Sequence, residues 1–520
     1  MEDALIRAFR DAAFYDHPTE CIRLIETHIS WVFLTGEYVY KLKKPVRLPF
    51  LDFSTLEQRR FFCNEELRLN RRLAPELYVD VVPIGGTADE PILGAQPARE
   101  YAVKLRQFAD GARLDERLEA TGIPTADIIR FAESIAKFHG SLPATREYGN
   151  AEAIVDVVMT NVDETRQVLD SPAHAEDIEA LRAWLAQNCD ELEQTLAARH
   201  ASGAIRECHG DLHLENLAYW RDRIVAFDAL EFEPAFRCID VLDEVAFLVM
   251  DLEARGETGL AYEFLNRYLE VGGDYSGLPV FRLYLVHRAL VRAKVAEIKL
   301  MQHPDEKVGI SEVADRYFRC ARESSRNRRS LLAITHGLSG SGKTTVTNEL
   351  ISRLPAIRCR SDLERKRLHG LAANEKSDSD VGGGLYALDS TQATYERLQN
   401  CAASALEAGL NVIADATFLR RADRDAFRHL AHETGAAFVL LDCQASEAHL
   451  RERIESRLAQ DADASEATVE VLDSQLTTRE PIGQDELTET VSIDTEKDIA
   501  FDALADEIRA AIVGTQSYRE

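Results

Sequence analysis

Gly337-Leu338-Ser339-Gly340-Ser341-Gly342-Lys343-Thr344-Thr345 carries the spacing G-x-x-x-x-G-K-[ST], and the chemistry open to it is a grip on nucleotide phosphates. Gly337, Gly340 and Gly342 let backbone N–H groups close on phosphate oxygens at a helix start, where the dipole already favours anions. Lys343 is spaced to reach the β- and γ-phosphates and Thr344 to ligate magnesium, with Ser339, Ser341 and Thr345 in the same cradle. The apolar run 331–334 before the loop and the helix-competent stretch 345–354 after it supply the strand–loop–helix context the motif needs.

Two aspartates follow at the ends of short apolar segments, Asp362 after 356–359 and Asp415 after 411–414. Phosphoryl transfer to an alcohol uses two carboxylates, one to take the hydroxyl proton and one to hold magnesium or its waters. We assign Asp362 as the base and Asp415 as the metal carboxylate. Arginines complete the set: Arg360, Arg365 and Arg367 flank Asp362, Arg424 opens a later helix, and Arg451, Arg453 and Arg457 stud the helix 448–458. Arg453 and Arg457 lie one turn apart and can meet the same phosphate, as a lid over segment 460–470 closes.

A second constellation lies far upstream, in Cys208-His209-Gly210-Asp211-Leu212-His213-Leu214-Glu215-Asn216 and in Phe227-Asp228. An aspartate, an asparagine five residues on and a second aspartate beyond a hairpin are the parts of a kinase catalytic loop. Asp211 is then the acceptor-side residue, with Asn216 and Asp228 on magnesium. The rival is a metal site from His209, Asp211 and His213, alternate residues of a strand. Strands 29–34 and 38–42 carry Lys41 and Lys43 on one face, and the helix 55–73 carries Glu65 and Glu66. One lysine paired with one glutamate would set the α/β-phosphates, and the sequence leaves both choices open.

The elements that hold these residues need two scaffolds. A chain of 520 residues exceeds one ordinary core. Strand and helix alternate regularly after residue 330, which implies a parallel sheet with ligands at the carboxyl ends of its strands. Residues 1–327 read as one domain, with a small lobe to about 108 and a helical lobe from 109 to 327; residues 328–520 read as the second. The fold class is thus mixed, α/β and α+β, in several domains.

Bulk properties limit the partners. The net charge of −28 weighs against nucleic acid and anionic lipid as partners. Nine dispersed cysteines, with no C-x-x-C pair, form neither a disulfide framework nor a zinc cluster. The charged N-terminus is no signal peptide, and the most apolar stretch, 245–250, is far short of a membrane span. The expected setting is the cytoplasm, and the oligomeric state is open.

The segments GLSGSGKTT, RCRSDLERKRLHG and VIADATFLRRADRDAF resemble the small P-loop kinases related to gluconate kinase, chloramphenicol phosphotransferase, zeta toxins and polynucleotide 5′-kinases. That resemblance implies Asp362 on the acceptor side and the arginine helix as lid. HGDLHLEN and FDALEFEPAFRCIDVLDEVAF resemble the aminoglycoside phosphotransferase and choline kinase group, which has a protein-kinase-like fold. One departure is plain, since the first hairpin lacks a G-x-G-x-x-G loop. Together the two parts look like bacterial bifunctional phosphotransferase/ATP-binding proteins. The implied cofactors are ATP and Mg2+, with GTP open in place of ATP, and the implied acceptor is a small-molecule hydroxyl on a sugar or aminocyclitol. Two other classes compete: a regulatory protein using one domain as a nucleotide switch, and a nucleic-acid 5′-end kinase.

Overall fold

The computed structural model describes residues 2–48, 51–169, 174–302, 307–371, 388–460 and 468–514. The chain folds as two compact units, one of residues 1–131, 141–154 and 198–248, the other of 132–140, 155–197 and 249–520. Compactness therefore groups residues 249–327 with the P-loop portion. The expected boundary at 327/328 instead groups them, as the end of a helical lobe 109–327, with the lysine sheet.

The first unit is built on a six-stranded antiparallel sheet. Its order is Arg23–Glu26, Ser30–Leu34, Tyr38–Lys43, Glu100–Arg106, Tyr78–Gly86 and Pro91–Leu93. Side chains alternate across a strand, so Tyr38–Lys43 has two different faces. Tyr40 and Leu42 enter a core with Phe9, Trp31 and Phe33, which leaves Lys41 and Lys43 together on the opposite face. That face meets the helix Leu56–Asn70, whose start is fixed by a capping box of Thr55 and Gln58. Cys63 and Leu67 of this helix pack with Val103, the cross-strand partner of Lys41. The two lysines are thereby held against the one helix that carries Glu66.

The same unit presents the catalytic-loop segment between two small sheets. Ile205–Glu207 pairs with Cys238–Asp240, and Leu217–Trp220 forms a hairpin with Arg223–Ala226. These are the antiparallel lysine sheet, glutamate helix and loop-plus-hairpin of a protein-kinase-like fold.

The second unit contains a five-stranded parallel sheet, ordered Ala356–Arg360, Asn411–Asp415, Leu331–His336, Ala437–Gln444 and Thr490–Asp494. Leu331 to Ile334 are all fully buried, as a central parallel strand covered on both faces requires. The helices Lys343–Arg353 and Phe501–Gly514 pack on one face, with Val346, Leu350 and Ile508 in the core. This is a doubly wound P-loop fold.

One helix escaped the sequence. Val469–Thr478 is helical although it lies in polar sequence, because a tertiary contact selects it. Its fully buried Leu472 joins Leu338, Leu419, Leu450 and Ile454 in a small cluster. Val469 and Leu476 pack against the same cluster, and 469, 472 and 476 follow a helical period too short to stand out beside the acidic stretch before them.

Candidate active sites

The N-terminal site grows from backbone lacing between the loop and the hairpin. Phe227 N–H donates to Asn216 O (3.0 Å) and Leu230 N–H to His209 O (3.1 Å). His209 Nε2–H returns to Phe227 O at 2.9 Å, and His209 Nδ1 accepts from Asp211 N–H at 3.3 Å. Both ring nitrogens of His209 are therefore engaged, which removes it from the rival metal site of His209, Asp211 and His213. Gly210 N–H donates to the buried Glu244 at 2.7 Å, fixing the loop from below.

These bonds bring Asp211, Asn216 and Asp228 to one place. Asn216 Nδ2 donates to Asp211 Oδ2 at 2.7 Å and to Asp211 O at 3.0 Å. These bonds use the amide nitrogen and leave Asn216 Oδ1 to face other ligands, and an amide oxygen is a magnesium ligand. Asp228 has the left-handed φ of 62°, a conformation a non-glycine residue keeps only where its surroundings impose it. The surroundings are visible: Asp228 N–H donates to Tyr78 Oη (3.0 Å) and Ala229 N–H to Asn70 Oδ1 (2.9 Å).

The lysine–glutamate choice is decided by burial. Glu66 is fully buried and meets both Lys41 (3.0 Å) and Lys43 (2.7 Å). Glu65, the other candidate, lies one position round the helix and pairs with Arg68 and Arg237 instead. It drops out of the pair. Lys41 also forms an ion pair with Asp228, whereas Lys43 is tied to the buried Glu231. Burial pushes the Glu66 carboxyl up, and the two ammonium groups overrule it and hold it low. Glu231 is the residue the sequence did not single out. Its position three residues after Asp228 was readable, but nothing local showed that it would meet Lys43.

In the second unit the cradle is shaped by glycines where nothing larger fits. A Cβ on Gly337 would lie 2.5 Å from Ser341 Oγ and 2.6 Å from Cys443 O, and one on Gly340 would lie 2.9 Å from Leu450 O. Lys343 folds its ammonium onto Gly337 O (2.9 Å) and Leu338 O (2.8 Å), inside the loop. Burial lowers its pKa, while Asp415 and Asp362 pull the other way and Arg457 adds to the fall. Both predicted aspartates therefore sit within electrostatic reach of Lys343.

Sheet register explains that meeting. Arg360 is the cross-strand partner of Asp415, so Asp362, two residues on and in the first turn of helix Ser361–Leu368, lies at the same sheet end. Asp415 spends one oxygen on Thr347 Oγ1 (3.0 Å). Gln475 of the unexpected helix accepts from Ser339 N–H at 2.8 Å, so a phosphate-loop amide has a partner the sequence did not reveal. The carboxylate of Asp415 and the nearby Thr344 side chain are hard oxygen donors that suit magnesium.

The arginines separate. Arg453 gives its guanidinium to Gly340 O (3.3 Å), Thr495 Oγ1 (3.0 Å) and Thr495 O (2.6 Å). It braces backbone, contrary to the expectation that it shares a phosphate with Arg457. Arg365 faces Asp362 at 3.4 Å, Arg367 pairs with Glu364, and Arg451 pairs with Glu447 and Asp473 on the surface. Of the expected lid segment, residues 461–467 lie outside the described ones.

Arg424 is a structural residue, not a phosphate ligand. Its side chain and that of Glu486 are fully buried and joined at 2.8 and 2.9 Å. Arg424→Met is expected to cost about 3–5 kcal/mol, because it takes the two-pronged partner from a buried carboxylate and leaves it the looser Arg428 contact at 3.5 Å. The hydrogen bonds from Arg424 hold Glu486 at about 2, below its ordinary 4.5. The folded value is the lower one, so this stabilisation is complete above about 4.5 and is lost as the pH falls toward about 2. Urea unfolding should show the gap between native protein and variant narrowing across that window.

With both sites on the page, the comparisons can be stated. Residues 332–482 match the family model AAA_33, described as an AAA domain. The uncharacterized protein Rv2004c of Mycobacterium tuberculosis is 30% identical over 448 residues, covering 85% of this chain and 87% of that protein. The chain belongs to the Rv2004c family. Mb2027c of Mycobacterium bovis matches to the same extent.

Solved structures resemble one part or the other. A choline/ethanolamine kinase family protein from Mesorhizobium loti is 15% identical, covers 63% of this chain and 99% of its own, and has a TM-score of 0.38. The APS kinase CysC of Mycobacterium tuberculosis is 18% identical, covers 36% of this chain and 98% of its own, and has a TM-score of 0.26. At such scores it is the sheet orders and the site geometry above that identify the two folds. Among the described residues no helix is long and apolar enough to cross a membrane.

Proposed function

We propose that this member of the Rv2004c family is an ATP- and magnesium-dependent phosphotransferase with two nucleotide sites. Each site serves transfer of a γ-phosphoryl group to a hydroxyl of a small molecule. The observation that carries the reading is a repeated one: each unit sets a half-buried lysine among two carboxylates, Lys41 with Glu66 and Asp228 and Lys343 within electrostatic reach of Asp362 and Asp415. We divide the chain functionally near residue 327, and the dispersed, unpaired cysteines suit a reducing cytoplasm.

Magnesium–ATP, when bound, supplies the phosphoryl group and a cation that spreads the charge of transfer. In the first unit the Asp211 carboxylate receives the acceptor's proton, and Asn216 Nδ2, bonded to its Oδ2, fixes that carboxylate's orientation. Asn216 Oδ1 and Asp228 are the metal-side oxygens, and Lys41, steadied by Glu66, orients the α- and β-phosphates. In the second unit the amides of Gly340 and of Gly342 to Thr345 hold the phosphates, Lys343 meets the β/γ end, Asp362 takes the proton, and Thr344 and Asp415 face the metal. Arg457 adds positive charge where charge develops.

The test is γ-labelled ATP incubated with the protein and pooled sugars and aminocyclitols, pooled RNA ends, or no acceptor. Label on a small molecule supports the proposal. Label on RNA alone supports an end kinase, and free phosphate alone supports a nucleotide switch; either sinks it.

A further inference from the structure

A helix upstream of the P-loop strand is built into the P-loop sheet. Ala356–Arg360 is an edge strand, and an edge leaves backbone groups that need partners. The helix Thr258–Gly272 of the same unit supplies them with one side chain. Asn266, buried, donates Nδ2–H to Ala356 O (2.8 Å) and accepts at Oδ1 from Arg358 N–H (2.6 Å). Tyr275, just beyond the helix, donates Oη–H to Arg358 O at 3.2 Å. Gly259 lets the helix lie against the P-loop helix, where its added Cβ would touch Ser352 Cβ at 3.4 Å.

The charged chemistry continues inward from this seal. Arg358 lies on the face of its strand that points to the P-loop helix, and it is buried with Glu270. Its Nε and Nη2 both reach Glu270 Oε1, at 3.1 and 2.5 Å. Its Nη1 donates to Asn348 and, at 3.5 Å, to Thr347 Oγ1. Thr347 then donates its single hydroxyl proton toward Asp415 Oδ2 at 3.0 Å or Thr344 O at 3.2 Å. The Thr347 hydroxyl thus accepts from Arg358 while its proton goes to Asp415 Oδ2 or Thr344 O, of which the carboxylate is the nearer and the charged acceptor. Burial opposes the charge on Glu270, yet Arg358 and Arg360 keep its pKa low.

We infer that the Glu270–Arg358 pair acts through Thr347 to position Asp415 for magnesium, so that helix Thr258–Gly272 is an integral part of the P-loop site. Glu270, Arg358 and Thr347 are positioning residues; none touches the nucleotide. The inference rests on reading Asp415 as the metal-side carboxylate. Groups that orient metal ligands without touching the ion typically change metal affinity by about 10–100-fold when removed.

The test uses the full chain and the Lys343-dependent part of the binding of a fluorescent ATP analogue, titrated with magnesium. Glu270→Gln and Thr347→Val keep side-chain shape. Each should raise the magnesium midpoint about tenfold or more while magnesium-free binding changes little; Glu270→Gln, which breaks a buried ion pair, also lowers the thermal midpoint, whereas Thr347→Val leaves it nearly unchanged. Because they lie on one relay, the double variant should shift the midpoint no further than the worse single one. Arg358→Lys, which keeps charge but loses the fork, should behave like Glu270→Gln. If Asp415→Asn moves the midpoint and none of the relay variants does, the coupling is wrong. If Asp415→Asn also leaves it unmoved, the metal-side reading falls and takes the coupling with it. Equal losses of magnesium-free binding and thermal stability would mean a merely structural pair, which also overturns the inference.

Discussion

Lys343→Ala is expected to abolish phosphoryl transfer at the P-loop site, with a drop of about 10²–10³ in rate. The reason is local. Lys343 Nζ lies inside the glycine loop, on Gly337 O and Leu338 O, while Asp415 and Asp362 act on it electrostatically. Alanine removes the charge that meets the β/γ-phosphates and leaves those two carboxylates to repel the nucleotide. The fold should persist, since the lysine makes only loop contacts and the helix behind it is anchored by Val346, Leu350 and Ile351. Nucleotide binding by fluorescence, beside a thermal melt, separates the two effects. An unchanged melt with undiminished ATP turnover at both sites would remove Lys343 from the chemistry.

The second large effect is Asp211→Asn. Losing a general base costs about 10²–10⁴ in rate, and the change is nearly isosteric. Asparagine still offers an oxygen to Asn216 Nδ2, which now holds Asp211 Oδ2 at 2.7 Å. Lys41, Glu66 and Asp228 remain in place, so nucleotide affinity should change less than about threefold while turnover is lost, the pattern of an interaction made in the transition state. Activity lost through Asp211→Asn should be retained in Lys343→Ala, and the reverse. Loss of both activities from either change would show one site, not two. Single-turnover assays on the two variants side by side decide it.

The legible parts were those whose residues work through close neighbours in sequence. The P-loop declares itself because nine consecutive residues make the cradle. Asp211 and Asn216 share one loop, and alternation along Tyr38–Lys43 puts Lys41 and Lys43 on one face whatever else the chain does. The illegible parts were decided by partners far away. Glu65 and Glu66 are adjacent and chemically alike. Only the packing of Cys63 and Leu67 against Val103 turns Glu66 inward to two lysines and leaves Glu65 to Arg68. Arg424 and Arg453 look like phosphate arginines in sequence, but Glu486 and the Thr495 backbone claim them.

Residue types and spacing alone determined which chemistry this chain can attempt, because phosphate cradles and catalytic loops are short and their parts lie within a few bonds of one another. Which lysine meets which carboxylate, which arginine stays near the nucleotide, and that a helix near residue 266 seals the P-loop sheet were decided only in three dimensions. The physical reason is that burial and ion pairing depend on distances through space. Asn266 and Arg358 lie 92 positions apart in the chain, and nothing in either segment names the other.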